Sequence, residues 1–128
     1  MTPESADYLE SARRHLVDAE KILRVAHIAN EAARVAYLAG FNAVQALVFT
    51  RRGRAVKTHR GLRTVFAELA KDDPSIDPVF VTFLAQAYRL KERTDYGIGS
   101  EPDITETEAE ETIDFAERLV DCIARILA

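Results

Sequence analysis

The residues best suited to chemistry lie in one short stretch of this chain, positions 86–97. Gln86, Arg89, Arg93 and Tyr96 recur there at spacings of three, four and three. On a helix this spacing places them on one face, opposite an apolar stripe, so the face points away from the core. Two arginines beside a tyrosine can hold a phosphate and stack on a base. The alternative is an ordinary solvated surface, because exposed helix faces are normally polar.

Charge provides a second signal. Positions 51–63 hold seven basic or histidine side chains and no acid: Arg51, Arg52, Arg54, Lys57, His59, Arg60 and Arg63. Positions 101–117 hold eight acids and no base. One interpretation is that both runs serve helix ends and the solvated surface. The alternatives are that positions 51–63 form a phosphate-binding loop, or that the two runs are complementary patches that meet at an interface. The formal net charge of −4 argues against bulk attraction to nucleic acid, so any such contact is local.

Several other site types are excluded. Cys122 is the single cysteine, which rules out an internal disulfide framework and a cysteine-based zinc site. His27 and Glu31 straddle a predicted helix start and form only a two-ligand pair, so we expect no metal and no cofactor. Gly97-Ile98-Gly99 lacks the strand and helix that give a phosphate loop its meaning. The N-terminus is polar and acidic, unlike a signal peptide, which makes the cytoplasm the expected compartment.

Three segments occur together in a familiar order: Ala36–Ala43, Lys57–Gly61 and Ala87–Gly97, followed by the acidic start of the last predicted helix. In this order the chain resembles a small HEPN domain (higher eukaryotes and prokaryotes nucleotide-binding), of the branch with short single-domain bacterial and archaeal members. The resemblance covers nearly the whole chain. It implies a helical bundle that forms a homodimer. It also implies a toxin–antitoxin pair in which the partner protein is a minimal nucleotidyltransferase.

The resemblance also implies roles for particular residues. Many HEPN domains are metal-independent endoribonucleases, and one branch carries the motif Arg-x4-His-x-Tyr, whose tyrosine receives a nucleotide from the transferase. On this sequence the motif falls on Arg89, Thr94 and Tyr96. Arg89 and Tyr96 are therefore the catalytic candidates, Tyr96 is the modification candidate, and Arg93 and Asp95 are binding candidates, with Asp95 orienting an arginine. Thr94 cannot act as a general base near neutral pH, so we expect ribonuclease activity to be weak or lost.

In the basic run, Lys57, His59 and Arg60 are the binding candidates. Arg54 and His59 also have the bare arginine–histidine spacing, but they lie in a loop before a short helix, and we interpret this as chance. In a dimer, two copies of the face that carries Arg89 and Arg93 would gather four arginines around one cleft, which predicts anion binding there.

Two functions follow from these observations. The first is an RNA- or nucleotide-directed HEPN-like protein of a toxin–antitoxin-type pair with a nucleotidyltransferase. The alternative is a non-catalytic helical dimer that binds a nucleotide, RNA or a protein through the 51–63 loop and the 86–96 face. Cleavage of structured RNA that depends on Arg89 would separate the two.

These residues must be positioned by helices. Abundant Ala, Leu, Glu and Arg predict an all-α, single-domain chain over 1–128, an antiparallel up-and-down bundle of four long helices and one short helix. The stretch Val35–Phe49 contains only Asn42 and Gln45 as polar side chains and predicts a central helix. It is shorter than the roughly 20 apolar residues of a membrane span. We expect Leu38 and Phe41 to be almost fully buried.

Periodicity and capping residues predict the remaining helices. The first runs from about Pro3 to Ala26, and Asn30 caps the next. A short helix spans about Thr58 to Lys71, a fourth begins after Asp77-Pro78 and ends near Thr94, and the fifth begins at the capping box of Thr105 and Glu108.

Overall fold

The computed structural model describes residues 1–96 and 103–128, with the backbone alone at Tyr96. Within these residues the chain forms five α-helices and no strand: α1 (Pro3–Lys21), α2 (Ala29–Arg52), α3 (His59–Asp72), α4 (Val79–Tyr96) and α5 (Glu106–Leu127). The predicted all-α bundle is confirmed. The segment Gly97-Ile98-Gly99 lies outside the described residues.

The central helix is α2, which packs against each of the other four helices. By length and composition it could cross a membrane, but 72% of its most apolar stretch is buried inside the fold. Tyr37, Val44, Leu47 and Val48 are fully buried in it. We therefore identify α2 as the core helix of the bundle, as the sequence predicted.

One face of α2 is less covered than the sequence predicted. Leu38 and Phe41 are only half-buried, so the expectation of almost complete burial is wrong. They follow Glu31 and Arg34 at helical spacing and so share the side of α2 that points away from the centre of the bundle. The ring of Phe41 packs there against the ring of His59, with 4.7 Å between centroids.

The end of α1 differs slightly from the prediction. After Lys21 the chain continues as a π-helical turn over Ile22–Ala26, and His27 adopts a left-handed conformation with φ of 56°. The wider turn leaves Ala26, the predicted last residue of the first helix, exposed.

Asn30 does not cap α2, so that prediction is wrong. The helix begins one residue earlier than Asn30, after Ile28, without a side-chain cap. The side chain of Asn30 instead reaches the segment before α5, where its Oδ1 accepts a hydrogen bond from the backbone N–H of Ile104 at 2.9 Å. Asn30 thus ties the start of α2 to the entry of the last helix.

The other helix starts agree with the sequence. Thr58 caps α3, and Asp77 accepts a hydrogen bond from the backbone N–H of Val79 at the start of α4. Thr105 and Glu108 form both bonds of the capping box at α5. Gly53 ends α2 with φ of 77°, a left-handed conformation that favours glycine.

Candidate functional site

The loop between α2 and α3 is fixed by a buried side chain. Gln45 of α2 donates from Nε2 to the carbonyl of Val56 at 2.6 Å and accepts from the N–H of Val56 at 3.1 Å. Asn42 donates to the carbonyl of Leu38 one turn earlier. Both amides of the core helix are therefore satisfied, and Gln45 determines where the basic loop lies.

The turn into α3 is also closely packed. The Thr58 hydroxyl accepts from the N–H of Gly61 at 3.0 Å. A Cβ at Gly61 would lie 2.7 Å from that hydroxyl oxygen and 2.9 Å from the side chain of Val56. Glycine therefore fits at position 61 where a larger residue would force the turn apart.

The cations of this loop fall into two sets. Arg51 and Arg52 form ion pairs, with Asp73 at 3.3 Å and Glu68 at 3.4 Å. The exposed side chains of Arg54, Lys57 and Arg60 line an open groove of about 740 Å³ at the start of α3, which we call the basic groove.

The cations of the basic groove have no acid to balance them. Within the part of the chain that the structure describes, none of the three forms an ion pair with a carboxylate. They also lie beside the N-terminus of α3, which carries partial positive charge. The groove is therefore a local region of positive potential on an acidic protein.

His59 does not share this exposed surface with Lys57 and Arg60. It points inward, where its Nδ1 and the hydroxyl of Tyr37 share a hydrogen bond of 2.7 Å. Its ring also packs against Phe41 and Tyr88, at centroid distances of 4.7 and 5.0 Å. The predicted binding residues are thus divided. Lys57 and Arg60 lie on the exposed surface, whereas the ring of His59 points toward the core.

Charged side chains surround this imidazole. The guanidinium of Arg63 lies 4.5 Å above the ring centroid of Tyr88. Lys91 and Asp95 form an ion pair one turn further along α4. We call this group the imidazole cluster, and its members are Tyr37, His59, Arg63, Tyr88, Lys91 and Asp95.

The environment shifts the acidity of both hydrogen-bonded partners. Burial lowers the pKa of His59 from its usual 6.5, and the positive charges of Lys91 and Arg63 lower it further. Asp95 and Glu92 oppose the shift with smaller effects. Burial also raises the pKa of Tyr37. A neutral imidazole is therefore held against a protonated phenol at neutral pH.

The two arginines predicted on one face of α4 do face the same neighbour, α5. Arg93 pairs with Glu108 at 3.5 Å. Arg89 is exposed and, with Gln86, lines a groove of about 470 Å³ between α4 and α5. Three carboxylates line the same groove: Glu108, Glu111 and Asp114. The positive charge of this face is therefore largely balanced by the acidic start of α5.

Asp95 and Thr94, which the sequence also singled out, point away from the arginine face of α4. Asp95 pairs with Lys91 and not with Arg89 or Arg93. The hydroxyl of Thr94 donates to the carbonyl of Lys91 at 2.8 Å. The side chain of Tyr96 lies outside the described part of the structure. Arg89 and Asp95 therefore contribute to different surfaces of this chain.

Four members of the imidazole cluster were not proposed as site residues from the sequence: Tyr37, Arg63, Tyr88 and Lys91. A signal existed for part of the cluster, since Tyr88, Lys91 and Asp95 are spaced three and four apart and share a helix face. Their contact with α2 and α3 depends on packing between distant segments. Among the described residues no three His, Cys, Asp or Glu side chains are grouped as a metal site requires.

Comparison with known proteins identifies the family. The HEPN domain family matches residues 5–127, so this chain belongs to that family. A search of curated proteins found no match. Family membership supports an RNA-related, nuclease-type helical domain as the general class of this protein.

Proposed function

We propose that this protein is an RNA- or nucleotide-directed HEPN protein that holds phosphate groups in its basic groove. The observation that supports this most strongly is the set of three exposed cations, Arg54, Lys57 and Arg60, without a carboxylate partner among the described residues. Unbalanced surface cations attract the phosphate backbone and release its counterions on binding. The α4 arginines are weaker candidates because acids of α5 lie beside them.

A nucleotidyltransferase partner in a toxin–antitoxin-type pair, and a homodimer, belong to the same proposal. Arg89, Thr94 and Tyr96 follow the family motif except for its histidine, so the α4 motif lacks a proton acceptor. Tyr96 would then serve as the residue that the transferase modifies with a nucleotide. We infer that this protein and the nucleotidyltransferase act in the cytoplasm, where RNA is present.

A non-catalytic protein-binding dimer is the second candidate, and the α4–α5 groove favours it. Phe83, Leu90 and Phe115 give this groove an apolar floor, and charges of both signs surround it. Apolar centres with polar rims are typical of protein interfaces. Binding of a protein at this groove is compatible with RNA at the basic groove, since different residues line them.

Binding of a fluorescent single-stranded RNA, and separately of ATP, tests the main proposal. Replacing Arg54, Lys57 and Arg60 together with alanine should weaken RNA binding by about tenfold or more at physiological salt. The matched control is the Arg89→Ala, Arg118→Ala variant, which removes two cations from the α4–α5 groove. Equal loss in both variants would contradict a binding site at the basic groove.

The partner is tested separately. The neighbouring gene should encode a small nucleotidyltransferase, and co-expression with it should add one nucleotide mass to this chain. Tyr96→Phe should abolish the adduct, whereas Tyr88→Phe should not, because Tyr88 packs against His59 and Tyr37. An adduct that persists in Tyr96→Phe would overturn the assignment of the modified residue.

A further inference from the structure

The side chains that line the basic groove are of only three kinds. They are the three cations, two threonines, and the small or apolar residues Ala55, Val56, Gly61 and Val65. Among the described residues that line the groove, none carries an aromatic ring, a side-chain amide or a carboxylate. Rings stack on bases, and amides and carboxylates pair with base edges. The groove therefore lacks most of the groups with which proteins distinguish one base from another.

The hydroxyls and the loop backbone of the groove are used within the fold. The Thr58 hydroxyl accepts from the N–H of Gly61 at 3.0 Å, and the Thr64 hydroxyl donates to the carbonyl of Arg60 at 3.0 Å. The N–H and carbonyl of Val56 are both bonded to the buried amide of α2. These bonds hold the loop and the first turn of α3 in place, and they leave the cations to meet a ligand.

The two arginines of the groove are not held in a fixed orientation. Arginine distinguishes guanine by two parallel hydrogen bonds, which require an oriented guanidinium. The guanidinium groups of Arg54 and Arg60 are exposed, and neither is bonded to a described side chain. The guanidinium of Arg63, in contrast, lies 4.5 Å above the ring centroid of Tyr88. A mobile guanidinium can follow a phosphate, but it does not select a base edge.

The aromatic rings near the start of α3 are engaged elsewhere. The ring of His59 packs against those of Phe41 and Tyr88, and Tyr37 is fully buried. None of these four rings lines the basic groove. A base whose phosphate lies in the groove therefore finds no ring there on which to stack.

We propose that the basic groove recognises the phosphodiester backbone of a nucleic-acid strand by charge alone, and that it reads neither the base nor the sugar. This inference rests on the proposed binding of phosphate groups in this groove, and it narrows the class of ligand. The ligand is a run of successive phosphates, on ribose or deoxyribose and in any sequence. Recognition of the 2′-hydroxyl would need a fixed donor or acceptor, and the hydroxyls of the groove are used within α3 and its turn.

The affinities of the full-length wild type for different strands test this inference. Fluorescence anisotropy at physiological salt compares oligo(U), oligo(A), oligo(C) and oligo(dT) of equal length. Their Kd values should agree within about threefold, because contacts to the backbone carry little sequence preference. Inorganic tripolyphosphate, which has neither base nor sugar, should displace oligo(U). AMP presents one phosphate to three cations and should compete at least about tenfold less well than oligo(U).

A pair of variants separates charge from the shape of the side chain. Arg54→Lys with Arg60→Lys keeps both charges and removes both planar guanidinium groups, so the Kd for oligo(U) should stay within about twofold of the wild type. Arg54→Gln with Arg60→Gln removes both charges and should weaken binding by about fivefold or more. Both positions are exposed, so the Tm of each variant should match that of the wild type.

Three results would overturn the inference and leave the proposed phosphate binding intact. The first is a preference of about tenfold or more for one base, or for RNA over DNA, since contacts to base edges give differences of this size. The second is an equal loss of affinity in the lysine and glutamine variants. The third is oligo(U) that tripolyphosphate does not displace. Absence of binding to every strand by the wild type would instead refute the proposed function, and the inference with it.

Discussion

The basic groove and the α4–α5 groove both carry exposed arginines, yet they differ in what lies opposite. Carboxylates of α5 line the α4–α5 groove together with Arg89, and Glu108 pairs with Arg93. Arg54, Lys57 and Arg60 line the basic groove without a described carboxylate among its residues. The number of cations on a surface therefore does not decide where an anion binds. The local balance of charge decides it.

The difference arises from how the helices meet. α5 begins with a run of acids, and its first turns pack beside the end of α4. α3 begins after a loop without acids, and the nearby carboxylates Asp73 and Glu68 already pair with Arg51 and Arg52. Arg54, Lys57 and Arg60 therefore remain available to an external anion.

Charge reversal should have the largest effect on this comparison. Arg54→Glu, Lys57→Glu and Arg60→Glu together should weaken RNA binding by roughly 100-fold or more, because attraction of phosphates becomes repulsion. The matched variant Arg89→Glu, Arg118→Glu should change the Kd far less. Fluorescence anisotropy at physiological salt measures both. A larger loss in the α4–α5 variant would reverse the assignment of the two grooves.

The amide of Gln45 links the core to the basic groove. Gln45→Leu leaves the N–H and carbonyl of Val56 without their partner, which should lower the free energy of unfolding by about 2 kcal/mol. RNA affinity should also fall, since the loop is no longer fixed. Asn42→Ala is the control, because Asn42 bonds only within α2. Urea unfolding measures the stability and fluorescence anisotropy measures the RNA affinity. Unchanged RNA affinity in Gln45→Leu would show that RNA binding does not depend on the bond between Gln45 and Val56.

Acid should destabilise the protein partly through His59. Its pKa in the folded state lies below the 6.5 of the unfolded chain, so the unfolded chain binds the proton more readily. The stabilisation is present above pH 6.5 and is lost as the pH falls through the folded pKa. His59→Gln should therefore show a smaller drop in Tm between pH 7 and pH 5 than His15→Gln. An identical drop would mean that His59 titrates normally in the fold.

The smallest effect is expected from unmasking the α4–α5 groove. Glu111→Gln with Asp114→Asn removes two carboxylates that lie beside Arg89. RNA or ATP affinity should improve by about threefold, since exposed charges interact weakly in water. Asp7→Asn with Asp18→Asn, on the exposed side of α1, removes the same charge elsewhere and is the control. An equal gain in the control would show that net charge, not the groove, is responsible.

The sequence predicted the helices well because their signals are local. Thr105 and Glu108 form their capping box within one turn, at the predicted start of α5. The site was harder to predict. His59 was grouped with Lys57 and Arg60 as a sequence neighbour. Lys57, however, lies in the loop before α3, and Arg60 is turned by about 100° from His59 around the helix, so the imidazole is separated from both cations.

Contacts between helices explain the rest of the difference. The bond between Tyr37 and His59 joins residues 22 positions apart, and its geometry depends on how α2, α3 and α4 pack. The α4 arginines were predicted on one face correctly. The extent to which carboxylates of α5 balance their charge could not be estimated until Glu108, Glu111 and Asp114 were seen around the same groove.

The salt dependence of RNA binding tests the central claim most directly. For single strands, the slope of log K against log salt changes by about 0.7 for each phosphate contact. Alanine at Arg54, Lys57 and Arg60 should therefore make the slope shallower by about 2, whereas Arg89→Ala with Arg93→Ala should leave it unchanged. A shallower slope in the α4 variant, with no change in the basic-groove variant, would contradict our assignment of the phosphate-binding surface.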